Sequence, residues 1–234
     1  MGQVETLEQV IREGKGRLYP GLTNPHWLVL RKRRKIFQDW IAKLPPGQLI
    51  VLDIGGRIQP YRPLLENRVA VYIATDVRQT PLVNVLARGE QLPFASNQFD
   101  LVICTQVLQY VPEPGAVVHE VARVLKAKGH FLLSVPSACP SDAYEECWRF
   151  LPGGLRHLLT SFDHVEVIPE GRSVAGFFRT INACFNIFVR YPSIRLLYRF
   201  TICPAINILG ALLEQISNSV NDQFAVNYTV IAQK

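Results

Sequence analysis

Asp53 and Asp76 stand 23 residues apart, each at the end of an apolar run, and Gly55-Gly56 follows the first of them. In an open α/β sheet a ligand sits beyond the carboxyl ends of the strands, where the strand order reverses. Glycine at such a place lets backbone N–H groups come close to the ligand, and the start of a following helix favours negative charge. A carboxylate at the tip of the next strand can accept both hydroxyls of a ribose. Strand, glycine turn, strand and acid therefore point to a nucleoside-like cofactor, although no G-x-G-x-x-G is present to suggest nicotinamide chemistry.

The elements that must carry these residues follow from the apolar runs. "LIVLDI" (49–54), "VAVYIATD" (69–76), "FDLVIC" (99–104) and "HFLLSV" (130–135) are short, nearly continuous and rich in β-branched residues. Such runs are expected of parallel strands buried on both faces. "PGAVVHEVARVLKAKG" between the last two predicts a helix with Val117, Val118, Val121, Val124 and Leu125 inward, ended by Lys126, Lys128 and Gly129. A helix over 26–44 is predicted to bury Ile36, Phe37, Trp40, Ile41 and Leu44. Beyond Pro152 the sequence predicts a helix ("GGLRHLLTSF"), a strand ("HVEVIPE", 164–170), an apolar segment over about 172–216 and a last strand, "FAVNYTVIAQ" (224–233). The apolar segment reads as a pair of amphipathic helices. Its longest charge-free stretch, Phe200 to Leu213, is 14 residues, short of the length that crosses a bilayer.

The chain has 234 residues, 48% of them apolar, enough for one sizeable α/β domain. Its formal net charge of +6 includes the run Arg31-Lys32-Arg33-Arg34-Lys35. That run reads either as a solvated helix face or as a phosphate-facing patch. Cys104, Cys139, Cys147, Cys184 and Cys203 show no metal-ligand spacing and read as buried thiols of a reducing compartment. The polar, acidic start is not that of a secretory leader, though Gly2 and Thr6 fit the short N-myristoylation pattern. Cytoplasmic placement, peripheral at the inner membrane face, is the expectation.

"VLDIGG", "YIATDV" and above all "GEQLPFASNQFDLVICTQVLQYVPEPGAVVHEVARVLKAKGHFLLSVP" (89–136) together resemble the class I S-adenosylmethionine-dependent methyltransferases of the type 11 branch. "CWRFLPGGLRHLL" (147–159) is similar to a segment of members associated with sugar and cell-envelope chemistry. The resemblance implies a Rossmann-like doubly wound sheet of seven strands, mostly parallel with an antiparallel last strand. The domain would comprise an N-terminal helical extension (1–44), a core (45–171 and 222–234) and an apolar helical insert or lid (172–221). It implies S-adenosylmethionine as cofactor, with Asp53, Gly55 and Gly56 at its methionine end and Asp76 on the ribose. Val77 would pack on the adenine, bordered by Glu90, Gln91 and Leu92 near Gly89. Cys104, Thr105 and Gln106 would lie beneath the transferred methyl.

Several positions depart from the family pattern. Arg57 and Gln59 stand where it has glycines, Arg88 where it has an acid, and Gln106 and Tyr110 where it has a glutamate and a histidine. These departures motivate a competing reading, a non-catalytic methyltransferase-like subunit that stabilises a partner. For catalysis the candidates are Tyr110, which could orient an acceptor or relay its proton, and Glu146, which could bind hydroxyls or act as base. Trp148 could stack on a sugar or anchor its loop; Arg149 could hold an anion or a structural ion pair. His119, His130 and His157 read as structural, and Asp100 as a cap on backbone amides. The acceptor is expected to be a small molecule, a sugar or a lipid-linked compound methylated at oxygen. Arg179, Arg190, Arg195 and Arg199 punctuate the apolar segment, which with 26–44 could meet a membrane surface, serve as a lid or form a homodimer interface. The basic residues are not interleaved with aromatics, which argues against nucleic acid.

Overall fold

The computed structural model describes residues 5–138, 140, 145–189, 191–217 and 221–234; Gly2, Cys139 and Arg190, named above, lie outside them. The apolar runs form a sheet of β1 (Leu49–Ile54), β2 (Val69–Asp76), β3 (Val85–Leu86), β4 (Phe99–Thr105), β5 (Leu125–Pro136), β6 (His164–Pro169) and β7 (Asn227–Gln233). Its order is β3-β2-β1-β4-β5-β7-β6. β1 pairs in parallel with both β2 and β4, and β4 with β5, whereas β7 runs antiparallel between β5 and β6. The order reverses between β1 and β4, so the ligand crevice of this topology lies beyond Ile54 and Thr105. β3 has only two residues, too few for a hydrophobic pattern to announce it.

Alternation along the strands explains why the runs are continuously apolar. Leu52 and Ile54 of β1, with Val102 and Cys104 of β4, face one layer; Val51, Leu101 and Ile103 face the other. The first layer is built by α3 (Pro114–Val124) and α4 (Pro152–Leu158), through Val117, Val121 and Leu155. The second is built by α1 (Leu7–Leu18) and α2 (Trp27–Ile41), through Leu18, Phe37 and Ile41. Each of these side chains is buried, and each such burial contributes about 1.5–3 kcal/mol. α1 opens on a capping box in which Thr6 and Gln9 satisfy each other's backbone N–H.

Five expectations need correcting. α3 stops at Val124, because Leu125 already pairs with Phe99 at the start of β5; Lys126 instead binds Asp100 at 2.8 Å. The insert holds three helices, α5 (Ser173–Phe188), α6 (Pro192–Phe200) and α7 (Ile202–Ser217). α6 and α7 form one helical run broken at Thr201, and that run is long and apolar enough, by length and composition alone, to cross a membrane. The charge-free count missed this because helical length tolerates Arg195 and Arg199 at intervals. In the basic run Arg33 is not solvated: it is 3% exposed, facing Glu170 across the second layer. Cys104 and Cys203 are buried thiols, but Cys147 is exposed.

The insert and α2 lie against each other. Asn207 of α7 donates to the carbonyls of Leu22 and Asn24, Lys32 pairs with Glu214 at 3.4 Å, and a Cβ at Gly210 would touch Phe178 and Leu28. The outer side of the insert is different: Phe188, Tyr191, Leu196, Leu197, Phe200 and Ile216 are each at least 60% exposed.

Candidate active site

A cavity of about 940 Å³ opens at the reversal point. One end is made by the tips of β1, β2 and β4 through Gly55, Asp76, Val77, Thr105 and Gln106. Strand register creates this grouping, since Ile54 lies beside Thr75 on one side and Cys104 on the other. The segment before α2, α2 itself and the insert also wall the cavity, through Asn24, His26, Arg33 and Arg179.

Gly55 turns the chain out of β1 with φ +73°, and a Cβ there would lie 2.2 Å from a Val107 methyl. Only glycine fits comfortably. The N–H groups of Gly55 and Gly56 both donate to the Thr75 carbonyl, at 2.8 and 3.0 Å, so these glycines bring the backbone close without offering donors. At the neighbouring tip of β4, Gln106 also holds a left-handed conformation (φ +58°), where a side chain is uncommon. Its amide donates to Ser134 Oγ at 3.1 Å, which locks it against β5. Asp76 accepts from the Arg78 N–H through Oδ1 and lines the cavity beside Val77.

The remaining sequence candidates divide. Glu90, Tyr110 and Glu146 line the cavity; Asp53, Gly56, Gln91, Leu92 and Cys104 do not. The Asp53 carboxylate points into the α1/α2 layer and accepts from the Tyr72 hydroxyl at 2.7 Å. Burial raises its pKa to about 7, opposed by that hydrogen bond and aided by the charge of Asp76. Gly56 backs onto Asp53 and Ala74, Leu92 is buried with its N–H donating to Glu120, and Cys104 is fully buried, which pushes its thiol pKa up. Tyr110 is 42% exposed at the mouth. Glu146 is held by Arg149 at 2.7 Å.

The departures from the glycine pattern are accommodated. Arg57 lines the cavity and pairs its guanidinium with Glu5 and Glu13 of the N-terminal segment, at 2.9 and 2.8 Å. Gln59 keeps a positive φ of 43° and donates to the Leu82 carbonyl. Trp148 anchors its loop by donating to the Val111 carbonyl at 2.9 Å, and Asp100 caps the Ile50 N–H.

Sequence reasoning missed several wall residues. His26, Arg33, Gln109, Arg179 and Asn227 line the cavity, drawn from four separate stretches of chain. Arg33 donates to Glu170 from Nε and Nη2, at 2.8 and 2.7 Å, and Glu170 also accepts from Ser134 and Thr229. Asn227, with its amide turned so that the oxygen faces both donors, links Gln106 to Arg33 at 3.1 and 3.0 Å. Gln109 is 2% exposed, and its Oε1 has no partner among the described residues. A polar residue inside an apolar helix was the available signal for one of these: Arg179 is the single charge in α5.

Residues 52–133 match a family model described as a methyltransferase domain. A ubiquinone biosynthesis O-methyltransferase of Xanthomonas axonopodis pv. citri is 27% identical over 137 residues, 50% of this chain and 57% of that protein. The chain spans between 28% and 57% of the length of the curated relatives it matches. Among solved structures, the [4+2]-cyclase SpnF superposes with a TM-score of 0.54 at 15% identity, over 100% of this chain and 98% of its own. A 1,6-didemethyltoxoflavin-N1-methyltransferase of Burkholderia thailandensis, solved with 1,6-didemethyltoxoflavin and S-adenosylhomocysteine bound, superposes at 0.50 and 16% identity, over 88% and 78%. Likeness at these identities shows the architecture alone, and the cyclase shows that this architecture hosts more than one reaction.

Proposed function

We propose, from the match of residues 52–133 to a methyltransferase domain, that the chain transfers a methyl group from S-adenosylmethionine to an acceptor, most consistently at oxygen, on a small molecule, sugar or lipid-linked compound. One observation carries this reading. Gly55 at positive φ, Asp76 and the strained Gln106 meet at one end of a single cavity, although they come from three different strand tips.

The residues present fit the donor. Asp76 would take the ribose hydroxyls, Val77 and Glu90 would border the base, and the close approach at Gly55 would admit the methionine portion. Bound there, the donor supplies a methyl already activated on positive sulfur, so the protein's work is alignment and exclusion of water. Gln106, held by Ser134 and Asn227, fixes the floor of the site. Tyr110 orients the acceptor at the mouth. Asp53 acts from behind, with Tyr72, as a support for the β1 turn. Arg57, paired to Glu5 and Glu13, leaves the crevice open, which speaks against the non-catalytic alternative.

Calorimetry with S-adenosylhomocysteine tests the reading. The native chain is expected to bind, and Asp76→Ala to bind at least tenfold more weakly; no heat at millimolar ligand would defeat the proposal.

The outer side of the insert is best accounted for by an anionic lipid surface at the cytoplasmic face of a membrane. Its exposed apolar side chains are interspersed with Arg195 and Arg199, a pattern suited to the acyl boundary and headgroup phosphates. A lipid-linked acceptor would then reach a cavity walled in part by the inner side of α5.

A further inference from the structure

Arg179 occupies a position that protein atoms alone do not satisfy. It is 4% exposed, and it lies on the cavity wall formed by α5. Its Nη1 has no hydrogen-bond partner among the described residues. Its Nη2 lies 3.2 Å from His26 Nδ1. No carboxylate pairs with it among the described residues, whereas the neighbouring cations are answered: Arg33 by Glu170 and Arg17 by Glu13. A guanidinium cannot shed its charge, and a buried charge without a counter-charge is costly. Such a group persists where a ligand supplies the missing anion.

His26 cannot supply it and does not compete for it. Burial, followed by the positive charges of Arg179, Arg17 and Arg33, lowers its pKa to about 4. At neutral pH the ring is uncharged, and Nδ1 accepts from Arg179, which aims the guanidinium. The surroundings are mixed: Asn24 and Asn227 offer polar groups, Val29 and Leu30 an apolar wall. That mixture suits an organic anion better than a bare ion.

We infer that Arg179, steadied by His26, is the seat for an anionic group of the methyl acceptor, a carboxylate or a phosphate, on the α5 side of the cavity. This rests on the methyltransferase reading and narrows it: the acceptor is an acid or phosphoester whose nucleophilic atom points toward Gln106 and Tyr110. Arg179 is a binding residue in this account, and His26 a positioning residue.

The test uses the full chain saturated with S-adenosylhomocysteine, with inorganic phosphate, a short-chain phosphatidic acid and benzoate as separate probes. Native protein is expected to bind at least one probe by calorimetry and to melt at a higher temperature with it. Arg179→Met should lose that binding more than tenfold and lose the melting shift, while its affinity for S-adenosylhomocysteine changes less than threefold. Arg179→Lys should recover part of the phosphate affinity and less of the benzoate affinity, because lysine lacks the planar fork. His26→Asn should weaken the probes several-fold by releasing the guanidinium. Tighter binding of phosphatidic acid than of phosphate would identify a lipid source for the anion; equal binding would identify a soluble one. Melting of Arg179→Met without ligand at or above the native temperature shows that the variant folds. The inference is overturned if no probe binds the loaded native chain, or if the variant binds the probes unchanged. It is also overturned if the variant loses S-adenosylhomocysteine instead, since Arg179 would then hold the donor's own carboxylate. Failure of S-adenosylhomocysteine to bind native protein would defeat the underlying methyltransferase reading, and probe binding to the free chain would still report on Arg179.

Discussion

Replacing Arg33 by methionine removes the guanidinium that answers Glu170 in the layer beneath α2. The Arg33 side chain is 4% exposed and that of Glu170 is fully buried. Oε2 of Glu170 accepts two charged donors, and Oε1 accepts the Ser134 and Thr229 hydroxyls at 2.6 and 2.8 Å. Arg33→Met leaves a carboxylate in the interior with hydroxyls as its remaining donors. Breaking a buried pair from one side costs about 3–5 kcal/mol, a large part of the roughly 5–15 kcal/mol that holds a domain folded. Glu170→Gln, which leaves the guanidinium without its counter-charge, is expected to cost a similar amount. The double variant removes both charges and keeps a carbonyl for the two hydroxyls, so its cost should fall short of the sum by about 3 kcal/mol. Urea unfolding followed by tryptophan fluorescence is the assay, because Trp27 and Trp40 lie on the same helix as Arg33. With a slope of about 2 kcal/mol per molar, each single change moves the midpoint down by roughly 1.5–2.5 M. Single variants within about 1 kcal/mol of native, or costs that simply add, would refute the claim that this pair docks α2 as one unit.

Other consequences can be checked in parallel. Gly55→Ala should cost on the order of 1–2 kcal/mol for the left-handed conformation alone, more for the contact with Val107, and should weaken S-adenosylhomocysteine binding at least tenfold by calorimetry. Two buried groups oppose each other in pH dependence. Asp53, with a pKa raised to about 7, makes stability fall as pH rises from about 4 to 7, since the unfolded chain releases first the proton that the folded chain keeps. His26, lowered to about 4, makes stability rise from about 4 to 6.5, because there the unfolded chain binds a proton that the folded chain refuses. Each slope approaches 1.4 kcal/mol per pH unit, so denaturation midpoints should be nearly flat for native protein, rise with pH in Asp53→Asn and fall with pH in His26→Asn; parallel profiles in all three would contradict the assignment. Co-flotation of the chain with vesicles rich in phosphatidylglycerol should be strong, weak with neutral vesicles, and abolished by Phe188→Asp with Leu197→Asp. Flotation unchanged by those substitutions, or a stable homodimer that buries the same side chains, would remove the lipid assignment.

The sheet was legible because its physics is local. A strand buried on both faces must be apolar throughout, so β1, β2, β4 and β5 announced themselves, and glycine beside Asp53 with Asp76 at the next tip marked the crevice. Position alone could not say which way a carboxylate points. Asp53 alternates into the α1/α2 layer and is taken up by Tyr72, while Asp76 emerges into the cavity, a difference set by strand register and by a tyrosine 19 residues away. The end of α3 was misplaced for the same reason: Leu125 suits a helix by its own propensity, and pairing with Phe99 decides for the strand.

By itself, the sequence determined the principal strands and the helices between them, the crevice and the family pattern over residues 52–133, since each depends on neighbours within a few turns of chain. Tertiary structure alone decided the wall on the side of α2 and α5. Arg33, one of five basic residues in a run that read as a solvated face or a phosphate-facing patch, is a buried partner of Glu170, 137 residues distant. His26 and Arg179 meet across 153 residues, and one guanidinium nitrogen is left unanswered. Charges find or lack counter-charges only when the chain has closed, because desolvation acts on a side chain's surroundings and not on its place in the sequence.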